Sequence, residues 1–120
     1  MPQRTYLELT QSISAGLAPL RASTPEVMKA FADLGRTATA DGVLDAKTKE
    51  LIALAVSVAA RCDPCIGFHA KALAKLGATR QEVAETLGVT TYMGGGPSLM
   101  YAANAVAAFD EFMASAPAAA

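Results

Sequence analysis

The sequence predicts an all-α protein built from about six helices. Alanine occupies 27 of 120 positions, tryptophan is absent and β-branched runs are few, a composition that favours helices over strands. Apolar residues recur at helical spacing between clear stop signals, and no segment alternates polar and apolar residues over the length of a strand. With 52% hydrophobic and 18% charged residues, the chain is long enough for one domain with a buried core.

Prolines delimit the first two helices. Apolar residues at helical spacing predict a helix over Leu7–Leu20 that stops near Pro19. Thr24 and Pro25 form the next start signal, with the Thr24 hydroxyl as N-cap and the proline in the first turn. The second helix runs to about Ala40 and has one apolar side. The residues on that side are Val27, Phe31 and Leu34.

The third and fourth helices flank a proline signal. After a turn at Asp41-Gly42, the third helix begins near Asp45 and runs to about Arg61. Apolar residues surround it, so we expect a central helix or a contact between subunits. These residues are Leu51, Ile52, Leu54, Val56 and Val58. Asp63-Pro64 interrupts the pattern, and the fourth helix then runs to a stop at Gly77.

The last two helices meet at a glycine-rich turn. Thr79–Glu82 forms a capping box that opens the fifth helix, which ends near Met93. The Gly94–Pro97 turn follows, and the sixth helix runs from Ser98 to about Met113. Glycines before a helix can cradle a phosphate, but a phosphate loop also needs a preceding strand and a lysine just inside the helix. The pattern therefore favours a helix corner.

Charge and hydropathy exclude several classes of protein. Ten basic and eleven acidic side chains leave a net charge of −1, which offers no basic field to nucleic acid or an anionic membrane. The longest apolar run, Leu51–Ala60, is too short to span a bilayer, and no signal peptide follows Met1. We expect one domain over residues 1–120 in the cytoplasm, with no nucleic-acid or membrane partner. Only the alanine-rich tail, residues 114–120, is expected to be flexible.

Both cysteines and the only histidine of the chain fall within residues 62–69. In a cytosolic protein, paired cysteines are more often redox or metal groups than structural staples. Two cysteines three residues apart at a helix start have Cα atoms near the ~4.4–6.8 Å that a disulfide permits. Cys62 and Cys65 can therefore open and close a bridge with little movement of the fold.

Pro64 indicates which cysteine the helix start favours. It disfavours helical geometry at Asp63 and fits the first helical position, so Asp63 is the expected N-cap. Cys65 then lies in the first turn, where free amides and the helix dipole stabilise a thiolate. His69 lies one turn further on the same face. Its imidazole can take the Cys65 proton directly or through a water.

Three other interpretations of the cluster stay open to different degrees. A structural zinc site needs a fourth ligand, and the chain has no further Cys or His besides these three. An acidic residue or a neighbouring subunit can supply that ligand. A thioredoxin fold requires a strand before the motif, where residues 51–60 predict a helix. The purely structural alternative is a pair of buried, unreactive cysteines beside a histidine whose hydrogen bonds are satisfied.

Glu50, followed after eleven residues by Cys62-x-x-Cys65 and then by His69, is similar to the signature of the alkylhydroperoxidase D-like (AhpD-like) branch of the carboxymuconolactone decarboxylase superfamily. The flanking segments 41–45, 76–79 and 94–97 agree, and the resemblance covers about residues 25–109. It implies an all-helical subunit that assembles into trimers or hexamers. It also implies thiol-dependent peroxidase or disulfide reductase chemistry.

The resemblance also implies roles for individual residues. The family residue matching Glu50 joins a proton relay to the histidine matching His69, which serves the second cysteine, here Cys65. The first cysteine, here Cys62, closes the disulfide. Alkylhydroperoxidase D itself is longer and has a second histidine where this chain has Pro64, so the chain looks more like the short members with a single motif.

An alternative interpretation of Glu50 involves no proton relay: the residue can be a solvated side chain in the first turns of the third helix. It shares a helical stripe with Leu54 and Val58, which points it partly inward instead.

We therefore predict a peroxidase that reduces a small hydroperoxide, needs no cofactor or metal, and is recycled by an external dithiol of protein or lipoyl type. Two alternatives remain: a lyase using Glu50 and His69 as acid and base, and a non-catalytic redox-sensing assembly. Decarboxylases of the family typically lack the cysteine pair.

Overall fold

The computed structural model describes residues 4–115, and that part of the chain contains six helices and no strand. The prediction of an all-α fold is confirmed. No helix within this range is both long enough and apolar enough to cross a bilayer. The helices are α1 (Tyr6–Ser23), α2 (Pro25–Thr39), α3 (Ala46–Ala59), α4 (Asp63–Lys75), α5 (Arg80–Gly94) and α6 (Gly96–Ser115).

The core lies between α3, α4, α5 and α6, which all pack against one another except for the α4–α5 pair. Its largest fully buried side chains are Leu54, Val58, Ile66, Leu73, Val83 and Phe109. Burying an aliphatic or aromatic side chain of this size contributes about 1.5–3 kcal/mol each. The third helix is therefore central, as its apolar surroundings predict, and it carries part of the core on one face.

The first helix packs mainly on α4, at a point where α4 has no side chain. A Cβ atom built on Gly67 would lie 2.7 Å from Cγ2 of Thr10 and 3.3 Å from Cδ1 of Tyr6. The Thr10 side chain is buried, and its hydroxyl donates to the Tyr6 and Leu7 carbonyls. This close approach brings the start of α1 next to the start of α4.

The predicted boundary between α1 and α2 is wrong in two details. Pro19 lies inside α1, and the helix continues to Ser23, because a proline costs one backbone hydrogen bond and some strain without always ending a helix. Thr24 precedes α2, but its hydroxyl does not cap that helix. It donates instead to the Leu20 carbonyl in the last turn of α1.

The other predicted helix signals are confirmed in three places and wrong in one. Asp45 caps α3 by accepting from the Thr48 amide, and the Thr79–Glu82 capping box opens α5. Gly77 ends α4 with a φ of 77°. The predicted Gly94–Pro97 turn shrinks to Gly95, whose φ of 76° reverses the chain in one residue. In the predicted tail, residues 114–115 belong to α6, and residues 116–120 lie outside the described part of the chain.

Candidate functional site

The turn between α3 and α4 consists of three residues held by the main chain. The Cys62 amide donates to the Ser57 carbonyl and the Arg61 amide to the Val58 carbonyl, which is the Schellman arrangement at a helix C-terminus. Arg61 occupies its left-handed position, with a φ of 58°. A left-handed conformation costs a residue with a side chain about 1–2 kcal/mol. The sequence therefore tolerates strain one residue before the first cysteine.

Cys62 is the N-cap of α4, so the prediction that Asp63 takes this position is wrong. The Cys62 sulfur accepts a hydrogen bond of 3.3 Å from the Cys65 amide, and its carbonyl accepts from the Ile66 amide. The helix starts one residue earlier than the proline signal implies, because Asp63 adopts helical geometry despite preceding Pro64. Cys65 still lies in the first turn, as predicted.

Cys62 and Cys65 are joined by a disulfide, with their Cα atoms 5.3 Å apart. That separation lies inside the range of about 4.4–6.8 Å that disulfides require. Both residues are half-buried, so neither belongs to the fully buried core. The predicted pairing of the two cysteines at a helix start is therefore present in the oxidised form of the chain.

Glu50 on α3 reaches His69 on α4, which the sequence spacing alone leaves open. Nδ1 of His69 lies 2.6 Å from Oε2 of Glu50, and the exposed fractions of the two side chains are 32% and 12%. A carboxylate can only accept, so Nδ1 carries the proton of this bond and Nε2 is the nitrogen left to accept another. The structure thus joins Glu50 to His69, which follows Cys65 by one turn on α4.

Two residues near the thiols carry no signal in the sequence. The Tyr6 hydroxyl donates to Oδ1 of Asp63 over 2.9 Å, and the Asn104 amide approaches the same oxygen at 3.5 Å. Burial, and then the hydrogen bond to Asp63, raise the pKa of Tyr6 well above its ordinary value. The tyrosine therefore stays protonated and donates. Both partners lie far along the chain from Asp63, so no local motif predicts them.

No three His, Cys, Asp or Glu side chains within residues 4–115 lie together in a way that could hold a metal ion. The arrangement instead offers a dithiol pair, a helix N-terminus beside the sulfur of Cys62, and an imidazole oriented by a carboxylate. Such a set can exchange protons and disulfides.

Solved structures with the same fold agree with the resemblance in the sequence. A carboxymuconolactone decarboxylase family protein of Legionella pneumophila is 56% identical, with a TM-score of 0.88, over 90% of this chain and 96% of that one. Another protein of this family, from Thermotoga maritima, is 33% identical, with a TM-score of 0.68, over 73% of this chain and 91% of that one. An involvement of the Thermotoga protein in the antioxidative response has been suggested.

Relatives found by sequence match this chain over most of their own length. An uncharacterized protein of Cupriavidus necator is 43% identical over 98 residues, which are 82% of this chain and 87% of the relative. Uncharacterized protein 4 in the cox locus of Paracoccus denitrificans is 36% identical over 98 residues, 82% of this chain and 88% of the relative. The model of the carboxymuconolactone decarboxylase family matches residues 25–108. That match covers more than half of this chain, and the AhpD-like pattern in the sequence is consistent with the match. The chain therefore belongs to the carboxymuconolactone decarboxylase family.

Proposed function

We propose that this protein is a thiol-dependent peroxidase that reduces a small hydroperoxide and is recycled by an external dithiol. The observation that carries the proposal is the Cys62–Cys65 disulfide, one helical turn before a histidine whose Nδ1 is hydrogen-bonded to Glu50. A disulfide at the start of a helix, with a histidine one turn later on the same helix, supports the proposal because such a cycle passes through an oxidised form of this kind.

The reduced protein begins the cycle with Cys65 as the nucleophile. His69 takes the Cys65 proton, and the thiolate attacks the terminal oxygen of the hydroperoxide. The oxygen–oxygen bond breaks, Cys65 becomes a sulfenic acid, and the alkoxide leaves. His69 then returns the proton, so that the product is the alcohol. Glu50 orients the imidazole and stabilises its charged form through the bond to Nδ1.

Cys62 resolves the sulfenic acid. Its thiolate attacks the Cys65 sulfur, the disulfide forms, and hydroxide leaves and is protonated to water. The 3.3 Å hydrogen bond from the Cys65 amide to the Cys62 sulfur supports this role, because an amide at a helix N-terminus stabilises a thiolate. Because the amide stabilises Cys62 rather than Cys65, the replacement of each cysteine in turn, described below, distinguishes the nucleophile from the resolving thiol.

An external dithiol completes the cycle by two exchange steps. One of its thiolates attacks Cys62, Cys65 leaves as the thiolate, and the second thiol then releases Cys62 and becomes half of a new disulfide. The hydroperoxide therefore gains two electrons and the dithiol loses two. The solved Thermotoga relative supports an antioxidative setting for this chemistry.

The first experiment follows the mass of the intact protein after reduction, desalting and one equivalent of cumene hydroperoxide. We expect the loss of two hydrogens per chain and their return on addition of dihydrolipoamide. Cys62→Ser should instead accumulate a sulfenic acid at Cys65 that dimedone traps, while Cys65→Ser should not react. A dimedone adduct on Cys65→Ser and none on Cys62→Ser would reverse the two roles. If the wild-type thiols stay free while the protein is folded, the peroxidase proposal fails.

The bonded Glu50–His69 pair favours one second candidate, a lyase that acts on a small carboxylated ring by acid–base chemistry. Replacing both cysteines by serine separates the two functions. A lyase would keep its activity on such a substrate, whereas the peroxidase would lose all turnover with hydroperoxide.

A further inference from the structure

A carboxylate lies between the two cysteines, where the proposed chemistry makes no use of it. Asp63 is half-buried in the first turn of α4 and directly follows Cys62. A carboxylate in the first turn of a helix stabilises that helix. It also disfavours a second negative charge nearby, so it opposes the thiolate of either cysteine. The same side chain therefore supports the fold and works against the reactivity of the thiols.

Neutral hydrogen-bond donors, and not a cation, compensate the charge of Asp63. Within residues 4–115, no lysine or arginine forms an ion pair with this carboxylate. Its Oδ1 atom accepts instead from the Tyr6 hydroxyl at 2.9 Å, and the Asn104 amide lies 3.5 Å away. Hydrogen bonds to a carboxylate stabilise its charged form and draw part of its charge toward the donors. That part of the charge is compensated on the side of α1 and α6.

The Tyr6 hydroxyl keeps its proton over the whole range in which thiols titrate. Burial and then the hydrogen bond to Asp63 raise the pKa of Tyr6 well above its ordinary value of 10.0. A cysteine thiol ordinarily titrates near pH ~8.5, so the tyrosine donates whether the thiols are protonated or not. The other titratable groups on the elements around this corner are Glu111 and Tyr101 on α6, Glu50 on α3, Arg61 in the turn and His69 on α4. All of them are kept in the variants compared below, so their effect on the thiols is common to those variants.

We propose that Tyr6 is a positioning residue for the thiol pair: its hydroxyl acts through Asp63 to stabilise the thiolate of the reduced protein. Neither hydrogen bond to Asp63 involves a sulfur atom, so we expect both bonds to persist when the disulfide is reduced. The first helix then controls the reactivity of cysteines on the fourth. The inference takes the reactive pair from the proposed function, but it does not require a hydroperoxide as the substrate.

Two substitutions with opposite expected effects separate this role from a structural one. Tyr6→Phe removes the donor and leaves the charge of the carboxylate, so the thiolate should become less stable. Asp63→Asn removes the charge itself, so the thiolate should become more stable. Both changes weaken the same contact between α1 and α4, and a mere loosening of that contact would move the thiols in one common direction.

The pH profile of iodoacetamide alkylation measures the thiolate in the reduced protein. Fragmentation of the peptide that contains both cysteines assigns the modification to Cys62 or Cys65. The midpoint of the more reactive thiol should rise by roughly 0.3–1 pH unit in Tyr6→Phe, which is a change of about 2- to 10-fold in the protonation equilibrium. It should fall by a similar amount in Asp63→Asn. Asn104→Ala, which removes the more distant donor, should raise the midpoint by less than Tyr6→Phe does.

Two controls and a double substitution complete the test. Tyr92→Phe alters an exposed tyrosine of α5, and Thr10→Ala loosens α1 where it approaches Gly67 but keeps the Tyr6 hydroxyl. Both should leave the midpoint unchanged. In the Asp63→Asn protein, adding Tyr6→Phe should change the midpoint little, because the charge through which the hydroxyl acts is absent.

A cooperative thermal transition in each variant verifies that it is folded. An unchanged midpoint in Tyr6→Phe would overturn the proposal, and so would shifts of the same sign in Tyr6→Phe and Asp63→Asn. An equal effect of Tyr6→Phe with and without the Asp63 carboxylate would overturn it as well. Alkylation needs no hydroperoxide, so a protein that fails the peroxidase test still yields these midpoints, and the two proposals can fail separately.

Discussion

The Tyr6 hydroxyl donates a 2.9 Å hydrogen bond to Asp63, 57 residues further along the chain and directly after Cys62. The first turn of α1 is thereby fastened to the first turn of the helix that carries the thiols. Glu111 on α6 accepts from the Tyr6 and Leu7 amides and holds the start of α1 from the other side. Three helices therefore converge beside the disulfide.

We predict that Tyr6→Phe lowers the free energy of unfolding by about 1 kcal/mol, the usual net contribution of one such hydrogen bond. The loss should depend on pH. The folded protein holds the pKa of Tyr6 above its ordinary value of 10.0, so the stabilisation is fully present below about pH 10 and declines above it, where the unfolded tyrosine ionises. Urea unfolding of both proteins at pH 7 and pH 10.5 should show the difference shrinking. A constant difference would mean that the bond contributes nothing through ionisation.

Glu50→Gln should slow the reaction of the reduced protein with hydroperoxide by about 10- to 100-fold, part of what a general base supplies. The amide has the size of the carboxylate but cannot stabilise the charged imidazole to the same extent. Stopped-flow oxidation over a range of pH measures the rate and the change in its profile. Glu85→Gln, on the exposed surface of α5, is the matched control. An unchanged rate for Glu50→Gln would remove the relay from the proposed mechanism.

Replacements of Cys62 in the reduced protein should differ according to their ability to cap α4. Serine accepts from the Cys65 amide better than a thiol does, so Cys62→Ser should be at least as stable as the reduced wild type. Cys62→Ala should lose about 1 kcal/mol, the usual contribution of an N-cap. Urea unfolding under reducing conditions compares them. The same pair of changes at Cys65, which caps nothing, should differ little, and an equal gap at both positions would contradict the capping role.

Arg61→Gly should raise the free energy of unfolding by about 0.5–1 kcal/mol. Glycine removes the cost of the left-handed conformation at φ 58°, and the greater freedom of the unfolded chain offsets part of the gain. Gly77→Ala is the reciprocal control, because Gly77 occupies the equivalent position after α4 at φ 77°. It should lose about 1 kcal/mol. Thermal unfolding of both variants measures the two signs, and a destabilised Arg61→Gly would show that the side chain has a role of its own.

Gly67→Ala should destabilise the protein by about 1–3 kcal/mol, as overpacking does elsewhere. The new methyl group would lie 2.7 Å from Cγ2 of Thr10, so α1 must move away from α4. Gly88→Ala on α5 is the control, because nothing lies within 4 Å of its Cβ position. It should be neutral or stabilising by up to about 1 kcal/mol. Chemical denaturation of the two variants tests the difference, and equal stability would mean that α1 adapts freely.

Local signals explain which helix ends the sequence predicts. The Thr79–Glu82 box and the Gly77 stop depend only on neighbouring backbone groups, so they can be recognised from a few residues. The expectation that Pro19 ends α1 fails because a proline weakens a helix by one bond, while flanking turns hold it. At Gly95 a single positive φ replaces the longer turn that the run of glycines predicts.

The candidate site likewise contains some residues that a local pattern predicts and others that only the folded chain brings together. Cys62, Cys65 and His69 lie on one short segment, so spacing alone places them together at a helix start. The bond from His69 to Glu50 needs α3 to fold back on α4, and it was the family resemblance that implied this relay. Tyr6 and Asn104 reach Asp63 only through the packing of α1 and α6. No local sequence pattern indicates these two contacts, so neither residue can be predicted from the sequence.

The turn before the thiol helix also limits what oxidation can communicate. Cys62 is held by its amide to Ser57 at the end of α3 and by its carbonyl to Ile66 in α4. Neither of these backbone bonds involves the sulfur. Because the bridge takes no part in either bond, we expect the connection between the two helices to persist in the reduced protein. We therefore expect the backbone of this turn to keep its position when the bridge opens, so that a change at the sulfur atoms transmits little movement from α4 to α3.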